Sequence, residues 1–269
     1  MSTHSGFTRF VLAAAATAAM VGATVGMAAA GVVNFDVTVT TPTNLPAYPV
    51  YAGQGAAGVG GTTWNTTSPL VTKNPSPSDP TNTYTYSGVK DSNGNASAVG
   101  LTFSYEVGYY DSAGTSIPTS VDSNPTDPQT LLQQFSSQQG STADPTGQRT
   151  FTLSGLTPGG AYDIYYYAIN GTYASYGSKV TIGGSTLSTT ATPAQNTSFA
   201  SGVNYVEFTN VLADGSGIIS GSSLPPGSFS ENEFNGLQIV SVSTPEPASL
   251  ALCAAGALGL LLLKRRRMA

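Results

Sequence analysis

Apolar and polar side chains alternate with period two through most of the chain between residues 31 and 244. "VNFDVTVT" sets Val33, Phe35, Val37 and Val39 on one face, opposite Asn34, Asp36, Thr38 and Thr40. "VGLTFSYEVGYY" repeats the pattern with Val99, Leu101, Phe103, Tyr105 and Val107, and "RTFTLSGL", "YDIYYYAI", "NYVEFTNV" and "NGLQIVSV" follow it. Turn clusters such as "KDSNGNAS", "YDSAGTS" and "LADGSG" separate these runs. Successive strand residues point to opposite sides, so short alternating runs between Gly/Asn/Asp turns predict an all-β fold, a β-sandwich. One helix interrupts at "DPQTLLQQF". Asp127 caps it, Pro128 takes the first position, and Leu131, Leu132 and Phe135 share a face.

The two ends break this pattern. Arg9 precedes an apolar stretch from Phe10 to about Val25, and Ala28-Ala29-Ala30 follows. A weakly positive start, an apolar middle and an A-x-A site make a secretory signal peptide, with Ala28 and Ala30 at the positions a signal peptidase inspects. Residues 1–30 are therefore expected to be removed. At the other end, Ala248 to Leu263 form an uncharged run of 16 residues, followed by Lys264, Arg265, Arg266 and Arg267. As a helix rising about 1.5 Å per residue the run spans about 24 Å, short of a hydrocarbon core of about 30 Å. It predicts a thin transmembrane helix, its basic tip on the cytoplasmic side and the body outside.

Composition narrows the chemistry of the body. Residues 31–244 hold four basic side chains (Lys73, Lys90, Arg149 and Lys179) against thirteen acidic ones, a net charge near −9. Nucleic acid is excluded as a partner, because its binding depends on Lys and Arg neutralising phosphates. The only His is His4 and the only Cys is Cys253, so neither type occurs between the predicted end segments. That removes a Ser-His-Asp triad, a Cys-His nucleophile, a His or Cys zinc site and any disulfide from the body. What remains is carboxylate chemistry, oxygen-ligand metal sites and binding without chemistry.

Three constellations fit what remains. Asp91, Asn93 and Asn95 in "DSNGN" are oxygen-bearing side chains at the spacing of a Ca²⁺ loop, although the same letters spell an Asn-Gly hairpin turn. Tyr165 and Tyr167 share one strand face in "YDIYYY". If exposed, their flat amphipathic rings make a sugar-binding platform; if covered, they fill a core. Trp64 is expected as a core anchor. A glycosidase needs two carboxyls across a cleft, and Glu106, Asp111, Asp163 and Glu207 supply no spacing that selects a pair. The expectation is a protein that is not an enzyme. The sequons at Asn65, Asn95, Asn170 and Asn196 reflect the abundance of Asn, Ser and Thr.

Pro245-Glu246-Pro247, the short apolar helix and the Lys264–Arg267 cluster together resemble the PEP-CTERM sorting signal of exopolysaccharide-producing Gram-negative bacteria. The resemblance covers residues 245–269. It implies an exosortase as processing partner, transient residence in the inner membrane, and delivery to the cell surface or extracellular matrix, with exopolysaccharide as a neighbour. In the body, Leu156, Pro158, Gly159 and Tyr162 mark a sharp strand-to-strand crossing in "GLTPGGAYDIYYY", where Tyr162 is placed to act as a tyrosine corner. With "YAGQGAAGVGGTTWN" and "NGLQIV" this is similar to galactose-binding-like jelly rolls, and more loosely to a pair of fibronectin type III domains. The resemblance implies a single jelly-roll-like sandwich over residues 31–244, structural or adhesive in role. The alternatives are a carbohydrate-binding module and a carboxylate-dependent glycosidase.

Overall fold

A computed structural model of the protein describes residues 31–38, 50–67, 82–105, 107–110, 124–139, 147–169, 177–190, 198–226 and 231–242. The signal peptide with Ala28 and Ala30, the tail from Pro245 to Arg267, Glu106, Asp111, Asn170 and Asn196 lie outside the described residues. Among the described residues no helix is long and apolar enough to cross a membrane.

The strands are β1 (Val33–Asp36), β2 (Asn65–Thr66), β3 (Asn82–Thr85), β4 (Gly100–Tyr105) and β5 (Val107–Tyr110), then helix α1 (Pro128–Leu132) and β6 (Gln134–Gln139). After these come β7 (Arg149–Ser154), β8 (Ala161–Tyr167), β9 (Lys179–Ile182), β10 (Ser185–Ser188), β11 (Tyr205–Leu212), β12 (Ile219–Leu224), β13 (Glu231–Phe234) and β14 (Gly236–Ser241). They build a five-stranded sheet in the order β11-β8-β14-β1-β2 and a six-stranded sheet in the order β10-β9-β12-β7-β4-β3. A three-stranded sheet, β13-β6-β5, completes the set. The chain is thus mostly β-strand with very little helix, its sheets arranged as a sandwich.

The inward phase of each alternating run meets the other sheet. Phe35, Ile164, Tyr166, Leu237 and Ile239 from the five-stranded sheet share one core with Leu101, Phe103, Phe151, Leu153, Val180 and Ile219 from the six-stranded one. The two sheets are joined by short links at one end. There Leu156 N–H donates to Gly217 O at 3.1 Å and Gly159 N–H to Ala213 O at 3.2 Å, so the links tie to each other as well.

Two expectations change. The helix stops at Leu132, with Gln133 as its C-terminal cap, and Phe135 belongs to β6 rather than to a helical face. Asp127 does cap, its Oδ1 accepting the Gln129 N–H at 3.0 Å, with Pro128 following as expected. The backbone of β6 is instead satisfied on both sides, by pairing with β5 and with β13. The second change is that Asn34 and Asp36, on the polar phase of β1, are as buried as Phe35. A second layer lies over the outer face of the five-stranded sheet.

Candidate functional site

That second layer decides the fate of the predicted tyrosine platform. Tyr51, Trp64, Leu131, Leu132, Tyr165, Tyr167 and Ile169 form a separate cluster, with Phe199 and Tyr205 packed against it. Residues 50–67 and α1 lie over the sheet and select the covered alternative. Tyr167 is wholly buried, its ring centroid 5.2 Å from Phe199, 5.9 Å from Tyr205 and 6.1 Å from Trp64. Its hydroxyl accepts from Ala56 N–H at 2.7 Å and lies 3.3 Å from Gln238 Oε1. Tyr165 is also buried, and its hydroxyl donates to Glu207 Oε1 at 2.8 Å. Neither ring offers a face to a sugar, so the platform is corrected to a satellite core. Trp64 anchors it as expected, with Nε1 donating to Gly53 O at 2.9 Å.

The Gly-rich approach "YAGQGAAG" explains why the loop can lie so low. A Cβ on Gly55 would stand 2.5 Å from Gln238 Oε1 and 2.8 Å from the Tyr167 hydroxyl. Only glycine lets the backbone come close enough for Ala56 and Ala57 to donate to those two oxygens. Gln238 Nε2 in turn donates to Asn34 Oδ1 at 2.9 Å, which pairs the buried amides of β14 and β1.

Asp91, Asn93 and Asn95 sit together in a tight turn. The Asp91 carboxylate accepts N–H bonds from Asn93 and Asn95 at 2.9 Å, and Asn95 Nδ2 reaches Oδ2 at 3.0 Å. The Asn95 side-chain bond, foremost, with the loop N–H groups holds the carboxyl below its usual range. Asn95 therefore turns a donor toward Asp91, the arrangement of a hydrogen-bonded turn rather than of an oxygen cage. Asp214 closes its own turn in the same way, accepting from Ser216 and Ile218 N–H. Among the described residues no group of three His, Cys, Asp or Glu is placed to hold a metal ion.

An open cleft of about 530 Å³ runs between the edge strands of the two main sheets. Ile182 and Leu187 line it from β9 and β10; Glu207, Phe208, Asn210 and Leu212 line it from β11. A bulge between Phe208 and Val211 opens the edge. Asn210 there adopts φ 54°, held by Asp163 Oδ1 accepting its N–H at 2.8 Å. Of the four candidate carboxylates, the structure places Glu207 opposite Tyr165 across the β11–β8 pair, with Asp163 two residues back along β8. Both are engaged, Asp163 with the bulge and Glu207 with the Tyr165 phenol. Among the described residues, Glu207 is the one ionisable side chain lining the cleft.

Arg149 was not singled out from the sequence, and its two Nη atoms make four hydrogen bonds. It is fully buried. Nη1 donates to Ser104 O at 2.7 Å and Ser136 Oγ at 2.8 Å; Nη2 donates to Ser136 O at 2.9 Å and Asn232 O at 3.1 Å. The guanidinium carbon lies 5.7 Å from the Phe103 ring centroid and 5.6 Å from that of Phe234. Burial lowers its proton affinity, while Tyr166 and Glu233 support the charge. The signal was present in "RTFTLS": Arg149 is in phase with Phe151 and Leu153, the inward face of β7. Its contacts join the six-stranded sheet to β6 and β13, which is a structural task.

Comparison with protein-family models, with curated proteins and with solved structures gives no match to this chain.

Proposed function

We propose that this is an exported surface or matrix protein, structural or adhesive in role, carried to its place by a C-terminal sorting signal. The observation that carries the reading is the order Pro245-Glu246-Pro247, an uncharged run of sixteen residues, Lys264–Arg267. A marginal hydrophobic segment ending in a basic cluster stops transfer and holds the body outside, where a membrane-embedded exosortase reaches the triplet. A jelly-roll-like topology fits the sheet order, in which β14 sits between β8 and β1, its partners from far earlier in the chain.

The layout of the body supports removal of both ends. β1 begins at Val33 and β14 ends at Ser241, so the described strands stop within a few residues of Ala30 and of Pro245. The two strands pair antiparallel, Val33 opposite Ile239, so the chain enters and leaves the sheet at the same end. Trimming at both places leaves every described strand paired. Among the described residues, Asp163 and Glu207 are both engaged and a single carboxylate lines the cleft, which favours a body that works by contact rather than by hydrolysis.

The intact mass of the protein recovered from its native cells tests the reading. A chain beginning at Gly31 and ending near Pro245–Pro247 is the expected result. A chain running to Ala269 overturns the sorting step.

A further inference from the structure

The outer face of the six-stranded sheet carries a feature that the alternation hides, because its polar phase is nearly all Ser and Thr. Cross-strand register places Thr85, Thr102, Thr152 and Ser220 in one row over β3, β4, β7 and β12. A second row, two residues along, runs Thr150, Ser222, Thr181 and Thr186 over β7, β12, β9 and β10. None of these eight side chains is buried. Neighbouring hydroxyls are linked across strands, Thr85 to Thr102 and Thr181 to Thr186, each at 2.9 Å. Lys179 borders the second row, but no charge stands within either row.

Open sheet faces and edges are ordinarily studded with Lys and Glu, which keep sheets apart. Here the body is strongly acidic and this face is uncharged. Hydroxyls repeat about every 4.8 Å across the strands and about every 6.6 Å along them. Six of the eight are Thr, whose β-branched side chains have few rotamers, so most of the hydroxyl oxygens are restricted in position before any ligand arrives. A partner read by charge would find nothing to pair with. A partner that is itself a neutral, regularly hydroxylated chain finds a donor and an acceptor at every step, and the cross-strand spacing is close to the repeat of an extended hexose polymer.

We propose that this Thr/Ser face is the adhesive surface of the protein and that its ligand is a neutral polysaccharide. The proposal rests on the adhesive role given above and names its surface and its chemistry. Each hydroxyl contributes little alone, so binding depends on many contacts and on ligand length.

The test is depletion of the purified full-length chain, in mild detergent, onto microcrystalline cellulose as the neutral hydroxylated probe. Alginate beads serve as the polyanionic one. The expected result is retention on cellulose that persists in high salt, and little on alginate. The triple variant Thr102→Val, Thr152→Val, Ser222→Ala keeps the shape of the face and removes three hydroxyls; its affinity is expected to fall at least tenfold, with an unchanged circular dichroism spectrum. Glu207→Gln, in the cleft, is expected to bind as the parent does. Absence of cellulose retention, or retention only on alginate, overturns the ligand class. Equal retention by the triple variant overturns the surface. Neither result touches the sorting reading, which the intact mass decides separately.

Discussion

The phenol of Tyr162 accepts the backbone N–H of Thr157 at 2.8 Å, five residues back along the chain. This bond closes the link by which the chain leaves β7 for β8, crossing from one sheet to the other. The ring itself belongs to the main core. Tyr162→Phe keeps the ring and removes the acceptor. A net loss of about 1–2 kcal/mol in unfolding free energy is expected, read from urea denaturation. A loss below about 0.3 kcal/mol would show that water replaces the phenol at the link.

The same end of the sandwich depends on Gly155. Its φ is 70°, and a Cβ there would collide with the carbonyl of Ala98, which is backbone and cannot swing aside. Gly58 has a similar φ of 63° but nothing within 4 Å of the added atom. Gly58→Ala should cost about 1–2 kcal/mol, the left-handed penalty alone. Gly155→Ala should cost clearly more, since the penalty and the collision add. Equal midpoints for the two variants in thermal unfolding would refute the collision.

Asp36 makes stability depend on pH in an unusual direction. Burial pushes its carboxyl well above the ordinary range, against smaller opposing bonds from the Tyr51 and Val37 N–H groups. The folded pKa therefore exceeds the unfolded value of about 3.9. The fold binds the proton more tightly than the unfolded chain does. The resulting stabilisation is complete below about pH 4 and is lost as pH rises through the folded pKa. Asp36→Asn removes the titration. Its denaturation midpoint should exceed that of the parent at pH 8 and approach it at pH 4; a gap that does not change with pH would overturn this assignment.

Arg149 separates charge from shape. Arg149→Ala leaves the carbonyls of Ser104, Ser136 and Asn232 without their buried donor, and opens a cavity between Phe103 and Phe234. A loss of about 3–5 kcal/mol is expected. Arg149→Met refills the space without the bonds and should recover part of it. If both variants lose the same amount, packing contributes nothing and the hydrogen bonds account for the whole effect.

The alternating runs made the strands legible, and with them the phase of each side chain. Tyr166 against Tyr165 and Tyr167, and Arg149 with Phe151, are all in the phase that the sequence shows. Phase alone does not say whether a face meets water. On β8 and β1 both faces are covered, because the Gly-rich segment 50–67 and α1 fold over one of them, and this contact joins residues more than a hundred positions apart. The tyrosine platform was lost for that reason.

By itself the sequence determined the all-β class, the turns at Asp91 and Asp214, the cap at Asp127 and the exclusion of His and Cys chemistry from the body. Each of these depends on residues adjacent or nearly adjacent in the chain, or on composition. Only the tertiary structure decided which polar faces are buried, that Glu207 stands beside Tyr165, and that Ser and Thr from six strands fall into rows. Those outcomes depend on strand order and register, set by the fit of apolar faces between sheets rather than by any local stretch.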